Sequence, residues 1–326
     1  MANFNGTNLF QNTELITAMV TPMKANGAVD YDAAELLTRH LQKNASDGIL
    51  IGGSTGEEPT LTSKEKWAIF DRVKKTLTRG DGTRQIKLLV GTGSSSTRET
   101  IAETKRAALF GADAAVVIVP PQVKPNDDGQ RFHFGAVAKA VPSLPIIIYN
   151  IPSRTGVNMK PEIVAELAQR YPNIIGIKQS YPDMDQVAEL RALCPQDFKI
   201  FSGDDSLTLP MLANGAHGVI SVASHIDGPR IHQLITAAKS GNRSEAIRLN
   251  GILRPLFKAC FITTNPNPIK HLLAERIAPW MTSTLRPPMV PMNTKDHTKM
   301  DELYDIYLNN KNNNYSYSAM LNTQRE

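Results

Sequence analysis

Short apolar runs alternate with amphipathic stretches along most of this chain, and the alternation repeats. "ELITAMVTP" reads as a strand stopped by Pro22. "DYDAAELLTRHLQKNA" then carries apolar residues at helical spacing, with Asp30 placed to cap it. The pair recurs. "GILIGG", "IKLLVGTG", "AAVVIVP", "PIIIYN", "IIGIKQS", "FKIFSGD" and "GVISVAS" read as further strands. Between them lie predicted helices. One starts at Ser63, where "SKEK" resembles an N-cap, and another ends at Gly111, a residue suited to a helix C-terminus. A third lies near "QRFHFGAVAKAV", and a fourth has Pro161 in its first turn, where the missing N–H is harmless. "MDQVAELRAL", "SLTLPMLANG" and "GPRIHQLITAAKSG" complete the set.

The strands are continuous apolar runs, as parallel strands are when both faces are covered. Eight strand–helix units predict an α/β fold, a closed (β/α)8 TIM barrel. An open doubly wound sheet is the alternative, but no GxGxxG follows the first strand. After Gly241 the strand pattern stops, and "SEAIRLNGILRPLFKACF", "NPIKHLLAERI" and "KMDELYDIYLNN" predict a C-terminal helical extension. The expected organisation is a flexible N-terminal lead over 1–12, the barrel over 13–241, helices over 242–309 and a disordered Asn- and Ser-rich tail over 310–326.

Composition narrows the function classes. The chain has 326 residues, 41% hydrophobic and 21% charged, with a formal net charge of +5. That is globular composition, with no basic run dense enough for a nucleic-acid groove and no apolar run of membrane-spanning length. Cys194 and Cys260 form no CxxC and have no histidine pair nearby, so neither a disulfide framework nor a zinc site is expected, and a reducing cytoplasm fits. The dipeptides Asp204-Asp205 and Glu57-Glu58 point to metal only faintly, and the histidines are scattered.

In a barrel of this class, sites gather at the C-terminal ends of the strands. Lys178 stands out on a strand otherwise made of Ile and Gly. A lysine inside the barrel is partly desolvated, and a neutral amine can attack a carbonyl to form a Schiff base. The competing reading pairs it with Asp204 or Asp205. Tyr149 ends the neighbouring strand, where its phenol could pass a proton or simply lie buried. Arg154 suits a substrate carboxylate or a loop-fixing role. "GGSTGE" offers hydroxyls and glycine-flanked N–H groups, a cradle for carboxylate or phosphate, but lacks the GK[ST] ending of a P-loop.

With these pieces in order, the sequence resembles the pyruvate-dependent Schiff-base barrel family of dihydrodipicolinate synthase and N-acetylneuraminate lyase. "TAMVTP", "GGSTGE", "YNIPSRTG", "GIKQS", "SGDDSLTLPML" and "GVISVASH" carry the resemblance from about Glu14 to about residue 280. "SGDD", "GVISVASH" and "PNPIKHLLA" lean to the synthase branch, and "GGST" does not decide. The resemblance implies an imine between Lys178 and pyruvate, with Tyr149 shuttling protons. Ser54 and Thr55 would bind the pyruvate carboxylate, Ser54 standing for the usual threonine in the relay. Arg154 would hold the carboxylate of the second substrate, and Gly203 and Ile220 would line the site through backbone carbonyls. It further implies no metal and no organic cofactor, a small aldehyde as second substrate (L-aspartate semialdehyde in a synthase of lysine biosynthesis), and a homo-oligomer, commonly a tetramer.

The chain also departs from the family. Where the family has a Tyr-Tyr pair after the fourth strand, Pro121 and Gln122 stand here, with Val123 for an asparagine. The second tyrosine normally reaches across a subunit interface; Gln122 can hydrogen-bond there but is no phenol acid. Gln179 replaces the usual glutamate after the lysine. At the positions that bind feedback lysine in the family stand Pro121, Ser95, Ser63 and Lys66, with only Glu99 retained, so no tight lysine feedback is expected. Three functions follow in order: the synthase, a related pyruvate aldolase or lyase for another aldehyde, and a non-catalytic keto-acid-binding barrel.

Overall fold

The computed structural model describes residues 9–313. Eight parallel strands close into a barrel in sequence order, β8 pairing back onto β1. They are β1 (Leu15–Ala18), β2 (Gly48–Ile51), β3 (Lys87–Gly91), β4 (Ala114–Ile118), β5 (Ile146–Asn150), β6 (Ile174–Gln179), β7 (Lys199–Ser202) and β8 (Gly218–Ser221). Around them lie α1 (Tyr31–Lys43), α2 (Ser63–Leu77), α3 (Thr97–Phe110), α4 (Asp127–Ala140), α5 (Pro161–Arg170), α6 (Met184–Leu193), α7 (Thr208–Ala213) and α8 (Ser224–Lys239). The extension supplies α9 (Arg243–Ala259), α10 (Asn267–Leu272) and α11 (Thr294–Asn312).

The period-2 alternation of strand side chains divides the core into two layers. Leu15, Ile49, Leu88, Ile146 and Ile200 face the helices. Ile16, Leu50, Leu89, Ile147, Phe201 and Ile220 fill the barrel interior. Both layers are apolar, which is why the strands read as unbroken apolar runs.

Local signals set the helix ends. Asp30 caps α1 by accepting from the Ala33 N–H, and Gly111 ends α3 in the left-handed conformation. α2 starts at Ser63 as expected but is capped by a different residue, and α4 starts earlier than the sequence suggested. Thr62 rather than the serine after it caps α2, in a reciprocal capping box with Glu65. Asn126 caps α4, so that helix begins at Asp127, ahead of "QRFH".

The lead needs correction where it is described. Phe10 is fully buried among the inward-facing residues, His217 Nε2 lies 3.0 Å from its carbonyl, and Lys199 Nζ donates to Gln11 Oε1 at 2.9 Å. Lys199 opens β7, so this segment closes the N-terminal end of the barrel. Burying one phenylalanine in this way contributes about 2–3 kcal/mol. Residues 9–12 are therefore part of the fold; the rest of the lead lies outside the described residues. At the other end α11 runs to Asn312, into the segment read as a tail, and residues 314–326 of that tail lie outside the described residues. No helix among the described residues is long and apolar enough to cross a membrane.

Candidate active site

A cavity of about 440 Å³ opens at the C-terminal ends of the strands, lined by Ser54, Thr55, Tyr149, Arg154, Lys178 and Gly203 among others. A bulge in β6 aims its lysine. Ile146 pairs with Ile174, yet Ile147 pairs with Gly176, so Ile175 is an extra residue. Ile175 packs inside the barrel; without the bulge strict alternation would turn Lys178 outward. The extra residue resets the phase, and Lys178 pairs beside inward-facing Tyr149. Gly176 is required here, since a side chain would run into the Lys199 carbonyl.

Lys178 is 5% exposed, with Nζ 4.3 Å from the centre of the Tyr149 ring. Neither aspartate considered as its partner reaches it. Asp204 Oδ1 takes the N–H and hydroxyl of Ser206. Asp205 is buried against β8, accepting from Ser221 Oγ and from the Val222 and Ala223 N–H groups at 2.9 and 3.1 Å. Desolvation pushes the Asp205 carboxyl up to about 6 against those three donors. Its role is to hold the end of β8, where Val222 lines the cavity. Among the described residues, then, Lys178 pairs with no carboxylate.

The turn after β2 faces the lysine. Ser54–Gly56 form one turn of 3-10 helix, stopped by Glu57 at φ 56°, a left-handed conformation unusual for a side-chain-bearing residue. Thr21 Oγ1 donates to the Gly56 carbonyl at 2.7 Å, and three further contacts come from the C-terminal extension. Asn265 Nδ2 donates to Thr55 Oγ1 at 2.9 Å, which leaves the threonine hydroxyl hydrogen available to a ligand. Lys270 Nζ bonds Glu57 Oε1 at 2.6 Å, both side chains being 0% exposed. The Arg286 N–H donates to Glu57 Oε2 at 3.0 Å. Burial draws the Lys270 ammonium below the ordinary lysine range, with the Glu57 carboxylate opposing it.

Arg154 stands at the rim on a one-turn helix, Pro152–Thr155, with a single long hydrogen bond of 3.4 Å to the Asn265 carbonyl. By contrast, Arg286 is saturated by Glu65, Thr60 and Gly27. Arg154 thus leaves most of its guanidinium N–H groups without a partner among the described residues. Ile220 lies below the mouth in the inner layer, 1% exposed, and does not itself line the cavity. Gln122 is exposed at φ 68° in the loop after β4 and does not line the cavity either. Gln179 points away from the interior, with Oε1 accepting from Asn150 Nδ2 at 3.0 Å, so this departure lies behind the site. Sequence reasoning missed Asn265, Ser180, Lys270 and Glu57. The first two line the cavity, and the last two sit beneath the turn. Among the described residues no cluster of His, Cys, Asp or Glu is arranged to hold a metal ion.

The dihydrodipicolinate synthetase family model matches residues 11–306 of the chain. The chain belongs to that family. It is 49% identical over 260 residues to the 4-hydroxy-tetrahydrodipicolinate synthase of Thermosynechococcus vestitus, covering 80% of this chain and 86% of the relative. The enzyme of the same name from Synechococcus elongatus is 47% identical over 281 residues, covering 86% and 91%. Among solved structures, the dihydrodipicolinate synthase of Cyanidioschyzon merolae with lysine bound superimposes with a TM-score of 0.87 at 39% identity, covering 91% of this chain and 98% of that one. The architecture expected from the alternating runs, a (β/α)8 barrel with a C-terminal helical extension, is the family's and is the one observed.

Proposed function

We propose that the chain is a 4-hydroxy-tetrahydrodipicolinate synthase, condensing pyruvate with L-aspartate semialdehyde through a Schiff base on Lys178. One observation carries this reading: a buried lysine without a carboxylate partner lies in a cavity that also presents Tyr149, Ser54, Thr55 and Arg154. The names of the relatives support the choice of substrates.

The chemistry follows from that geometry. Lys178 Nζ attacks the pyruvate carbonyl carbon and water leaves, giving an imine. Loss of a proton from the methyl carbon makes an enamine, whose carbon attacks the aldehyde. The imine nitrogen serves as electron sink, so no metal or organic cofactor is needed. Tyr149, beside the lysine, and the Ser54 hydroxyl carry the protons. Thr55 Oγ1 and Ser54 take the pyruvate carboxylate, the Gly203 carbonyl borders the bound keto acid, and Arg154 takes the carboxylate of the aldehyde partner.

The chain works in the cytoplasm as a homo-oligomer in this reading. The exposed Val123 and Phe132, 60% and 71% accessible around the loop after β4, support the second point. On this view Gln122 hydrogen-bonds across that interface, and light scattering on the intact protein tests it. The function is tested by incubating with pyruvate, reducing with borohydride and locating the mass adduct. An adduct on Lys178 together with pyruvate consumption on adding aspartate semialdehyde is the expected result. Consumption with another aldehyde only would make the chain a different pyruvate aldolase. No adduct at all would leave a keto-acid-binding barrel.

A further inference from the structure

The cavity holds two buried polar atoms that the fold leaves without a partner, Ser180 Oγ and Asn265 Oδ1. Buried polar groups are nearly always satisfied, so an orphan at a cavity wall marks a place for a ligand atom. Ser180 lies two residues beyond Lys178 on the same strand face. Its backbone is fixed, the N–H donating to the Asn150 carbonyl at 2.9 Å, and Gly203 is fixed beside it by a bond to the Gln179 carbonyl at 2.8 Å. A Cβ at Gly203 would overlap Ser180 Oγ and approach Lys178 Cε to 3.1 Å. Gly203 therefore leaves room for the hydroxyl and the lysine together.

We propose that Ser180 is a substrate-recognition residue, whose hydroxyl oxygen receives the ammonium group of an amino-acid aldehyde after pyruvate is bound. This rests on the reading of the cavity as a pyruvate Schiff-base site. The polarity of the walls argues for an ammonium. Asn265 Oδ1 can only accept, Ser180 Oγ can accept, and Asp204 also lines the cavity. An ammonium carries three donors and one positive charge, which fits acceptors grouped near a carboxylate. Arg154, at the rim, is placed for the carboxylate of the same molecule. Together they recognise an α-amino acid rather than a simple aldehyde.

The test compares L-aspartate semialdehyde with succinate semialdehyde, its counterpart without the amino group, scored as substrate or as competitive inhibitor. Ser180→Ala is expected to lose about ten-fold in kcat/KM for aspartate semialdehyde, mostly through KM. The effect on succinate semialdehyde should stay within about two-fold, and the pyruvate–borohydride adduct and the KM for pyruvate should not change. Equal losses with both aldehydes, or no loss with either, would overturn the subsite while leaving the Schiff-base reading intact. Failure of the unsubstituted protein to form the pyruvate adduct would remove both together.

Discussion

Two loops at the mouth of the barrel contain side-chain-bearing residues in left-handed backbone, and the fold treats them differently. After β2, Glu57 at φ 56° is 2% exposed and gripped by Lys270 and Arg286. After β4, Gln122 at φ 68° and Lys124 at φ 45° are both exposed, and Val123 between them is 60% accessible. The loop's flanks are tied by Ser95 Oγ to the Pro121 carbonyl at 2.9 Å and Gln130 Nε2 to the Pro125 carbonyl at 3.1 Å, and its middle by one turn bond, from the Val123 N–H to the Pro121 carbonyl at 2.8 Å. A strained residue costs about 1–3 kcal/mol and persists where its surroundings over-determine it. The β2 turn is over-determined within one chain, as suits a turn that places two hydroxyls opposite a lysine. The β4 loop is not, which points to contacts made outside the chain.

The largest expected effect comes from breaking the held side. Lys270→Met would leave the Glu57 carboxylate buried without its cation, and stability measured by urea unfolding should fall by about 3–5 kcal/mol. Joining it to Glu57→Gln removes the stranded charge yet keeps an acceptor for the Arg286 N–H, so a substantial part of the loss should return. If the double variant is no better than the single one, the pair does not act as a unit.

Acid attacks the same half of the mouth. His225 is fully buried at the start of α8, with Nδ1 donating to the Val222 carbonyl and Nε2 accepting from the Val20 N–H. The second bond needs the neutral ring, and burial holds the imidazole down at about 4. On the other side, in α4, His133 is likewise lowered to about 4 by desolvation. A base whose folded value lies below its unfolded one keeps its full stabilisation above pH 6.5. It loses that stabilisation as the pH falls toward 4, because the unfolded chain takes the proton first. The gap amounts to ~3 kcal/mol for His225 alone by pH 4. Asp205, raised to about 6, has the opposite sign: its contribution is complete below about pH 4 and is lost as pH rises through 6. The histidines outweigh it, so the melting temperature should drop steeply below pH 6, and His225→Asn should flatten that slope.

The difference between the loops also explains what could be read from sequence. The strands were legible because both faces are apolar, and Lys178 was legible because it interrupts Ile and Gly. The T-x-x-E box from Thr62 to Glu65 was readable and would have identified the cap of α2. The grip on the β2 turn was not, because Asn265 reaches Thr55 across 210 residues and Lys270 reaches Glu57 across 213. No local pattern announces such contacts. Nor does periodicity announce the β6 bulge, since alternation alone cannot place Ile175 and Lys178 on the same side.

Smaller effects separate positioning from stability on the held side. Asn265→Ala removes the donor on Thr55 without stranding a charge. It should raise the KM for pyruvate by about ten-fold and lower stability by only ~1 kcal/mol. A loss of kcat with KM unchanged would mean that Asn265 acts on the chemical step instead.

Between the two loops, Lys66 Nζ occupies the carboxylates, lying 2.8 Å from Glu103 and 3.3 Å from Glu58. Ser63 Oγ and Trp67 Nε1 also bond Glu103. Lys66 brings its own cation to the positions expected to bind lysine, and Ser94 Oγ already bonds the retained Glu99 at 2.7 Å, so L-lysine up to about 1 mM should leave the rate unchanged in a coupled assay. Inhibition at sub-millimolar lysine would show that the pair opens.

The smallest effect is expected at the open loop. Gln122 is exposed and outside its own chain's cavity, so Gln122→Tyr should alter stability by less than ~0.5 kcal/mol. Its own chain gives the new phenol nothing to act on, so turnover with aspartate semialdehyde should stay within about two-fold wherever the proposed interface is dissociated. A larger rise, tracking oligomer concentration on dilution, would show the loop completing a neighbour's cavity, where a phenol can carry a proton and an amide cannot. The contrast between the loops would then be one of location: one grip supplied from within the chain, the other from its neighbour.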